Sequence, residues 1–171
     1  MSLSFLKWEK VRVVLEYAVY LILTMMLQSL LFSKVSILGV KGFILPAAAV
    51  AAGMYLGGVR GAVFGLCLGI FTDIGFTDST VLYTVLFAFI GFAVGFAAEF
   101  YLNSSFFAFM VFSVIAILIS GFAQLLCAMI LHGAGIFSGL WVMLLQTLVS
   151  VLPAMLLYLP FTNRSATGQR R

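Results

Sequence analysis

Few side chains in this sequence can do chemistry, and their spacing narrows what that chemistry is. Two carboxylates end matching runs, Gly65-xxx-Gly69-xxx-Asp73 and Gly91-xxx-Gly95-xxx-Glu99, offset by 26 residues. Gly61 extends the first run one step back, and Gly53 and Gly57 keep its register beyond that. An acid such as Asp73 at the end of an apolar run is either a helix-end carboxylate, solvated or hydrogen-bonded to its neighbours, or a structural polar lock or partner contact, or a carrier of a proton or ion. The other polar residues within apolar runs are Glu16, Gln28, Gln124, Gln146 and His132. Amides in such places seek partners on neighbouring helices. Glu16 is spaced for an i,i+4 pair with Arg12. His132, beside Gly133 and Gly135, reads as an interfacial histidine, since one histidine alone does not make a metal site. Cys67 and Cys127 lie in apolar runs and read as buried small residues, with neither a disulfide framework nor metal spacing. Catalysis needs convergent titratable groups. The sequence has no nucleophile–base pair, phosphate loop or nucleotide motif, so the expectation is a chain that is not an enzyme and uses no cofactor.

The elements that position these residues follow from composition. The chain has 171 residues, 64% hydrophobic and 8% charged, against roughly 25% charged in a soluble domain. No soluble fold of this size hides so much apolar surface, so the expected solvent is lipid and the expected class all-α. Six apolar segments are legible, at 13–33, 43–57, 60–76, 80–102, 106–132 and 138–161. They predict a six-helix transmembrane domain over 13–161, between basic tails at 1–12 and 162–171. The first run follows Lys7, Lys10 and Arg12 and continues through Leu31 without a small-residue cleavage site, which reads as a retained span. The second and third segments are short and Gly-rich, tilted or partly re-entrant, and joined at Gly57-Gly58-Val59-Arg60. A turn-rich stretch, SKVSILGVKG (33–42), precedes them. Pro46 sits early in its segment, where a missing N–H costs least, and Pro153 is expected to kink the last one. The last four segments are apolar all round, so periodicity does not orient them.

Six spans with an inside N-terminus put Lys7, Lys10, Arg12, Arg60, Arg164, Arg170 and Arg171 in the cytoplasm and Lys34 and Lys41 outside. Seven against two follows the positive-inside rule, with both termini cytoplasmic. Ordinary anchoring accounts for the basic ends, which can also touch anionic membrane lipids. Nothing points to nucleic acid. Without long polar loops there is no room for an external catalytic domain.

On a helix, residues four apart share a face. Gly61, Gly65, Gly69 and Asp73 therefore make one flat strip ending in an acid, and Gly91, Gly95 and Glu99 make another. In lipid such strips let a second helix approach to backbone contact, and glycine's helix cost implies a packing return. The neighbour is either another helix of this chain or a partner. By the topology above, Asp73 lies toward the outer end of its segment and Glu99 toward the cytoplasmic end of its own, so a paired-acid site is not expected.

The order of these features resembles MreD, the rod-shape-determining membrane protein family of bacteria. The matching stretches are Leu27-Gln28-Ser29, then Gly42-Phe43-Ile44-Leu45-Pro46, then Gly61-xxx-Gly65-xxx-Gly69-xxx-Asp73. The likeness covers nearly the whole chain, and Gln28, Gly65, Gly69 and Asp73 are the matching positions. The resemblance implies a bundle similar to the substrate-binding subunits of energy-coupling-factor vitamin transporters. It implies a non-catalytic adaptor of lateral peptidoglycan synthesis in the bacterial cytoplasmic membrane. The implied partners are MreC, a single-span periplasmic scaffold, the glycosyltransferase RodA with its penicillin-binding transpeptidase, and MreB filaments. The alternative is a vitamin-binding transporter subunit, which needs an outer-face pocket; Trp141 and His132 are available for one. Such subunits carry an Ala-xxx-Ala docking strip in the first span. Here EYAVYLILTMMLQSL has only Ala18, and Ala48 and Ala52 keep that spacing on the second segment instead.

Overall fold

The computed structural model describes residues 15, 17–30, 36–37, 40–76, 81–100, 106–132 and 136–158. The basic tails, Glu16, Lys34, Asp78 and the glycines after His132 lie outside the described residues. Six helices follow one another: α1 (Tyr17–Leu30), α2 (Leu45–Leu56), α3 (Gly58–Phe76), α4 (Leu82–Phe100), α5 (Phe106–His132) and α6 (Ile136–Ala154). Between α1 and α2, Ser36–Ile37 and Val40–Lys41 pair antiparallel, with Ser36 opposite Lys41.

Among the described residues, three helices hold apolar stretches long enough to cross a membrane: Gly58–Gly75, Leu82–Glu99 and Phe106–Ile130. The apolar stretches Tyr17–Leu30, Leu45–Leu56 and Gly139–Val151 are shorter. At 1.5 Å per residue, α2 is about 18 Å long, well short of a ~30 Å hydrocarbon core. It is nevertheless the centre of the molecule. Leu45 through Met54 are all buried, and α2 packs against α3, α4 and α5. Its Ala-rich sequence, LPAAAVAAGMYL, lets three neighbours close on it at once. Pro46 occupies its first turn, where the helix has no N–H partner to lose.

Around its apolar core the molecule exposes hydrocarbon that a water-soluble fold hides. Phe89, Phe107, Ile130, Phe137 and Leu148 stand 70% or more exposed, while Thr24, Gln28, Thr72, Ser113, Ser120, Gln146 and Ser150 are buried. So much exposed hydrocarbon around an apolar core that includes a few polar side chains suits a lipid solvent, because lipid gives no penalty for exposed hydrocarbon. Several buried hydroxyls return a hydrogen bond to the carbonyl one turn back, as Thr24 does to Tyr20, Thr72 to Leu68 and Ser120 to Ala116.

Two breaks refine the sequence reading. Within the Gly57-Gly58-Val59-Arg60 junction the interruption falls at Gly57, which has φ +84°, a conformation side chains rarely adopt. Its N–H still bonds Gly53 and its carbonyl accepts from Gly61, so α2 and α3 meet at a one-residue corner. In α6, the α-helix runs one residue past Pro153 and then tightens to a single 3-10 turn, Met155–Tyr158.

Candidate functional site

The strip residues of α3 and α4 face each other across one antiparallel seam. A methyl group added at Gly61 would sit 2.6 Å from the Gly53 Cα and 2.8 Å from the Gly91 carbonyl oxygen. One added at Gly65 would lie 2.7 Å from the Phe87 carbonyl carbon, and at Gly69, 2.5 Å from the Tyr83 oxygen. From the other side, a methyl at Gly91 would overlap the Gly61 carbonyl, and at Gly95 would lie 2.6 Å from the Gly58 Cα. Gly53 of α2 joins the same contact, with Gly91 and Gly95 as its neighbours. Every one of these glycines therefore meets backbone. The seam places helix axes closer than any side chain allows, the geometry small-xxx-small strips permit in lipid.

The acids close the seam at both ends. Asp73, near the end of α3, is half-buried and accepts hydrogen bonds from the Tyr83 N–H (3.1 Å), the Thr84 N–H (2.8 Å) and the Thr84 hydroxyl (2.6 Å). Those amides are among the first-turn donors of α4, which have no partner within their own helix. Glu99, near the end of α4, accepts from the Gly58 N–H at 3.2 Å, the first amide of α3, and its Oε1 packs over Gly57. Each strip thus ends in a carboxylate that caps the start of the opposite helix, where the helix dipole favours negative charge. The 26-residue repeat is a reciprocal cap: the same Gly-xxx-Gly-xxx-acid run, used twice, head to tail. Asp73 and Glu99 sit at opposite ends of the seam and form no joint site.

Gln28 acts elsewhere. Gly42 and Phe43 are buried and lie outside any helix or strand, and Ile44 is the N-cap of α2, so the Gly42 carbonyl and the Phe43 and Ile44 N–H groups need side-chain partners. The Gln28 amide supplies two of them: its Nε2 donates to the Gly42 carbonyl at 3.0 Å, and its Oε1 accepts from the Ile44 N–H at 2.9 Å. The Phe43 N–H between them donates to Ser150 Oγ of α6 at 2.7 Å, and that hydroxyl donates to the Gln146 carbonyl at 2.6 Å. Two helices distant in sequence therefore hold one three-residue segment. The Phe43 ring then packs on Tyr83 and Phe87 of α4, with centroids 5.2 and 5.9 Å away. Gln124 of α5 hydrogen-bonds the Tyr83 hydroxyl, bringing α5 to the Asp73 end of the seam.

Gly61, Gly65, Gly69, Asp73, Gly91, Gly95 and Glu99 are thus gathered by one interface, and Gln28 belongs to a separate clamp. Sequence reasoning missed Thr84 and Ser150, and named Gly53 only as a continuation of the strip's register. Gly42–Ile44 carried a usable signal: Pro46 fits the first turn of a helix, so the apolar backbone just before that turn had amide groups without helical partners. Nothing local identified Ser150 as one. Among the described residues, no group of three or more His, Cys, Asp or Glu side chains gathers where a metal would bind. His132 is the last residue of α5. The arrangement binds helix to helix and caps helix ends. Compared with protein-family models, characterised proteins and solved structures, the chain finds no match.

Proposed function

We propose that this chain is a non-catalytic membrane scaffold of the bacterial cell-elongation machinery. In this reading all six helices belong to one bundle in the cytoplasmic membrane, similar to energy-coupling-factor substrate-binding subunits, with both termini in the cytoplasm. It binds an MreC-like single-span protein and, through or beside it, RodA with its penicillin-binding transpeptidase and MreB. One observation carries the reading. The stretches that resemble the MreD family are physically one framework: Gln28 bonds Gly42 and Ile44, Pro46 opens α2, and Gly53 of α2 touches Gly61 of the strip that ends at Asp73. Residues spent on holding a rigid bundle suit an adaptor, whose task is to present a fixed surface. Because the strips are consumed by the seam, the partner-facing surface belongs to the outward apolar faces of the helices.

The test is purification of the tagged chain from its native membrane in nanodiscs, with mass spectrometry of what accompanies it. A single-span periplasmic coiled-coil protein together with wall synthases is the expected result. A transporter ATPase module, or a bound vitamin, overturns the reading in favour of the transporter subunit.

A further inference from the structure

We propose that the bundle imposes a step in the thickness of the bilayer around it, thin against α3 and α4 and thick against α5 and α6. The helices are unequal. The apolar stretches of α3 and α4 are 18 residues each and that of α5 is 25, about 27 Å and about 37 Å at 1.5 Å per residue. They nevertheless start from nearly one level. The Gln124 side chain meets the Tyr83 hydroxyl. From that contact, 83–100 of α4 is about 26 Å long and 106–124 of α5 about 27 Å, and five residues join the two ends. Matching lengths mean that α5 has little tilt relative to α4. The excess therefore lies at the Asp73 end. Beyond Gln124, α5 continues about 12 Å to His132, whereas α3 passes Asp73 by only about 4 Å before it ends at Phe76. α6 agrees. Ser150 bonds Phe43, the Phe43 ring lies on Tyr83, and α6 begins about 21 Å from Ser150, at Ile136.

Chemistry sets where hydrocarbon ends on each side. At the end of α3 and the start of α4 stand Asp73 and Thr84, and the sequence joining the two helices includes Thr77-Asp78-Ser79-Thr80. A lipid core expels such groups. The overhang of α5 and α6 is apolar and faces outward, with Ile130 81% and Phe137 91% exposed. Water expels that surface. One flat boundary cannot satisfy both sides. Tilting the bundle does not help, because tilt shortens both sides by the same factor. The helices themselves do not adjust, since the seam is in backbone contact. A bilayer, by contrast, thins beside a short span and thickens beside a long one at modest cost per ångström. Relative to a core of ~30 Å, the α3–α4 side is the short one and the α5–α6 side the long one. The surface thus fits a line where thinner and thicker membrane meet. This inference rests on the chain spanning a bilayer and not on the scaffold reading.

Tryptophan depth tests it, with one full chain per nanodisc of dioleoyl phosphatidylcholine. In a chain carrying Trp8→Phe and Trp141→Phe, Ile74→Trp reports the end of α3 and Ile130→Trp reports the overhang. Both positions are exposed, Ile74 at 78% and Ile130 at 81%, so a larger side chain has room. Phospholipids brominated at different acyl positions are expected to place both indoles at one depth near the headgroups, within about 3 Å, although the two residues differ in height by roughly 7 Å along the bundle. The unmodified chain gives a second reading. Hydroxyl-radical oxidation of Ile130 and Phe137 is expected to be at least about tenfold lower in the nanodisc than in the unfolded chain, because hydrocarbon holds no water. A depth difference of about 7 Å, with Ile74→Trp the deeper, overturns the proposal, since the boundary is then flat and the end of α3 submerged. Water-like emission without quenching from Ile130→Trp overturns it too, as does full oxidation of Ile130 and Phe137, since the overhang then stands in water.

Discussion

The α3–α4 seam and the α5–α6 pair are both antiparallel and both contain glycines, yet the glycines face different things. In the seam they face backbone: Gly65 meets the Phe87 carbonyl and Gly69 meets Tyr83 and Thr84. In the α5–α6 pair they face side-chain ends: Gly121 meets the Met143 side chain, 2.9 Å from its Cγ, and Gly139 meets the Leu125 side chain. A thioether chain has several torsions through which to yield, but a carbonyl oxygen moves only if its helix moves. Glycine sets the helix separation in the first region and relieves local crowding in the second. Gly75, also on α3, has nothing within 4 Å of an added methyl group and sets neither.

Substitutions along these regions rank the difference. Gly65→Leu and Gly69→Leu are expected to abolish folded, monodisperse protein on size-exclusion chromatography in detergent. Gly65→Ala should cost about 3 kcal/mol or more in reversible unfolding in mixed micelles, at or above the usual range for overpacking. Gly121→Ala should cost under about 1 kcal/mol in the same assay, because Met143 can swing away. Equal costs at the two positions would erase the distinction between seam and side-chain packing.

The clamp on Gly42–Ile44 tests whether polar contacts rank with the seam. Gln28→Ala leaves a carbonyl and an N–H buried without their partner, at about 1–3 kcal/mol each, so about 2–6 kcal/mol is expected. Ser150→Ala removes one partner and should cost about 1–3 kcal/mol. Both residues hold the same segment, so the double variant is expected to cost less than the two together. Strict additivity would mean that the segment is not held as a unit.

The reciprocal caps come next. Asp73→Ala should cost about 1–2 kcal/mol, the ordinary range for a lost cap, and should speed hydrogen exchange at the Tyr83 and Thr84 amides. Glu99→Ala should cost less, because Glu99 is exposed and has the longer bond, and its exchange signature belongs at Gly58. If Asp73→Ala left the α4 amides as protected as before, the cap would be decorative. Gly75→Ala is the smallest expected effect, neutral or stabilising by up to about 1 kcal/mol, since it swaps a poor helix former for the best one in open space.

By itself the sequence determined the solvent class, the helical segments and which residues share a face of one helix. Composition and hydropathy are sums over neighbours in the chain, and the helical repeat is local geometry, so the segments 60–76, 80–102 and 106–132 lie within two residues of α3, α4 and α5 at each end. The Gly-xxx-Gly-xxx-acid runs were legible for the same reason. Only the tertiary structure decided what each face meets. Helices that are apolar all round carry no preferred inward direction, so nothing local says that Gly65 lies against Phe87 rather than against a partner. Two matching acids likewise do not announce that each caps the other's helix. The bond from Phe43 to Ser150 joins residues 107 positions apart, and its partner was set by the distance between α2 and α6 and by no spacing in the chain.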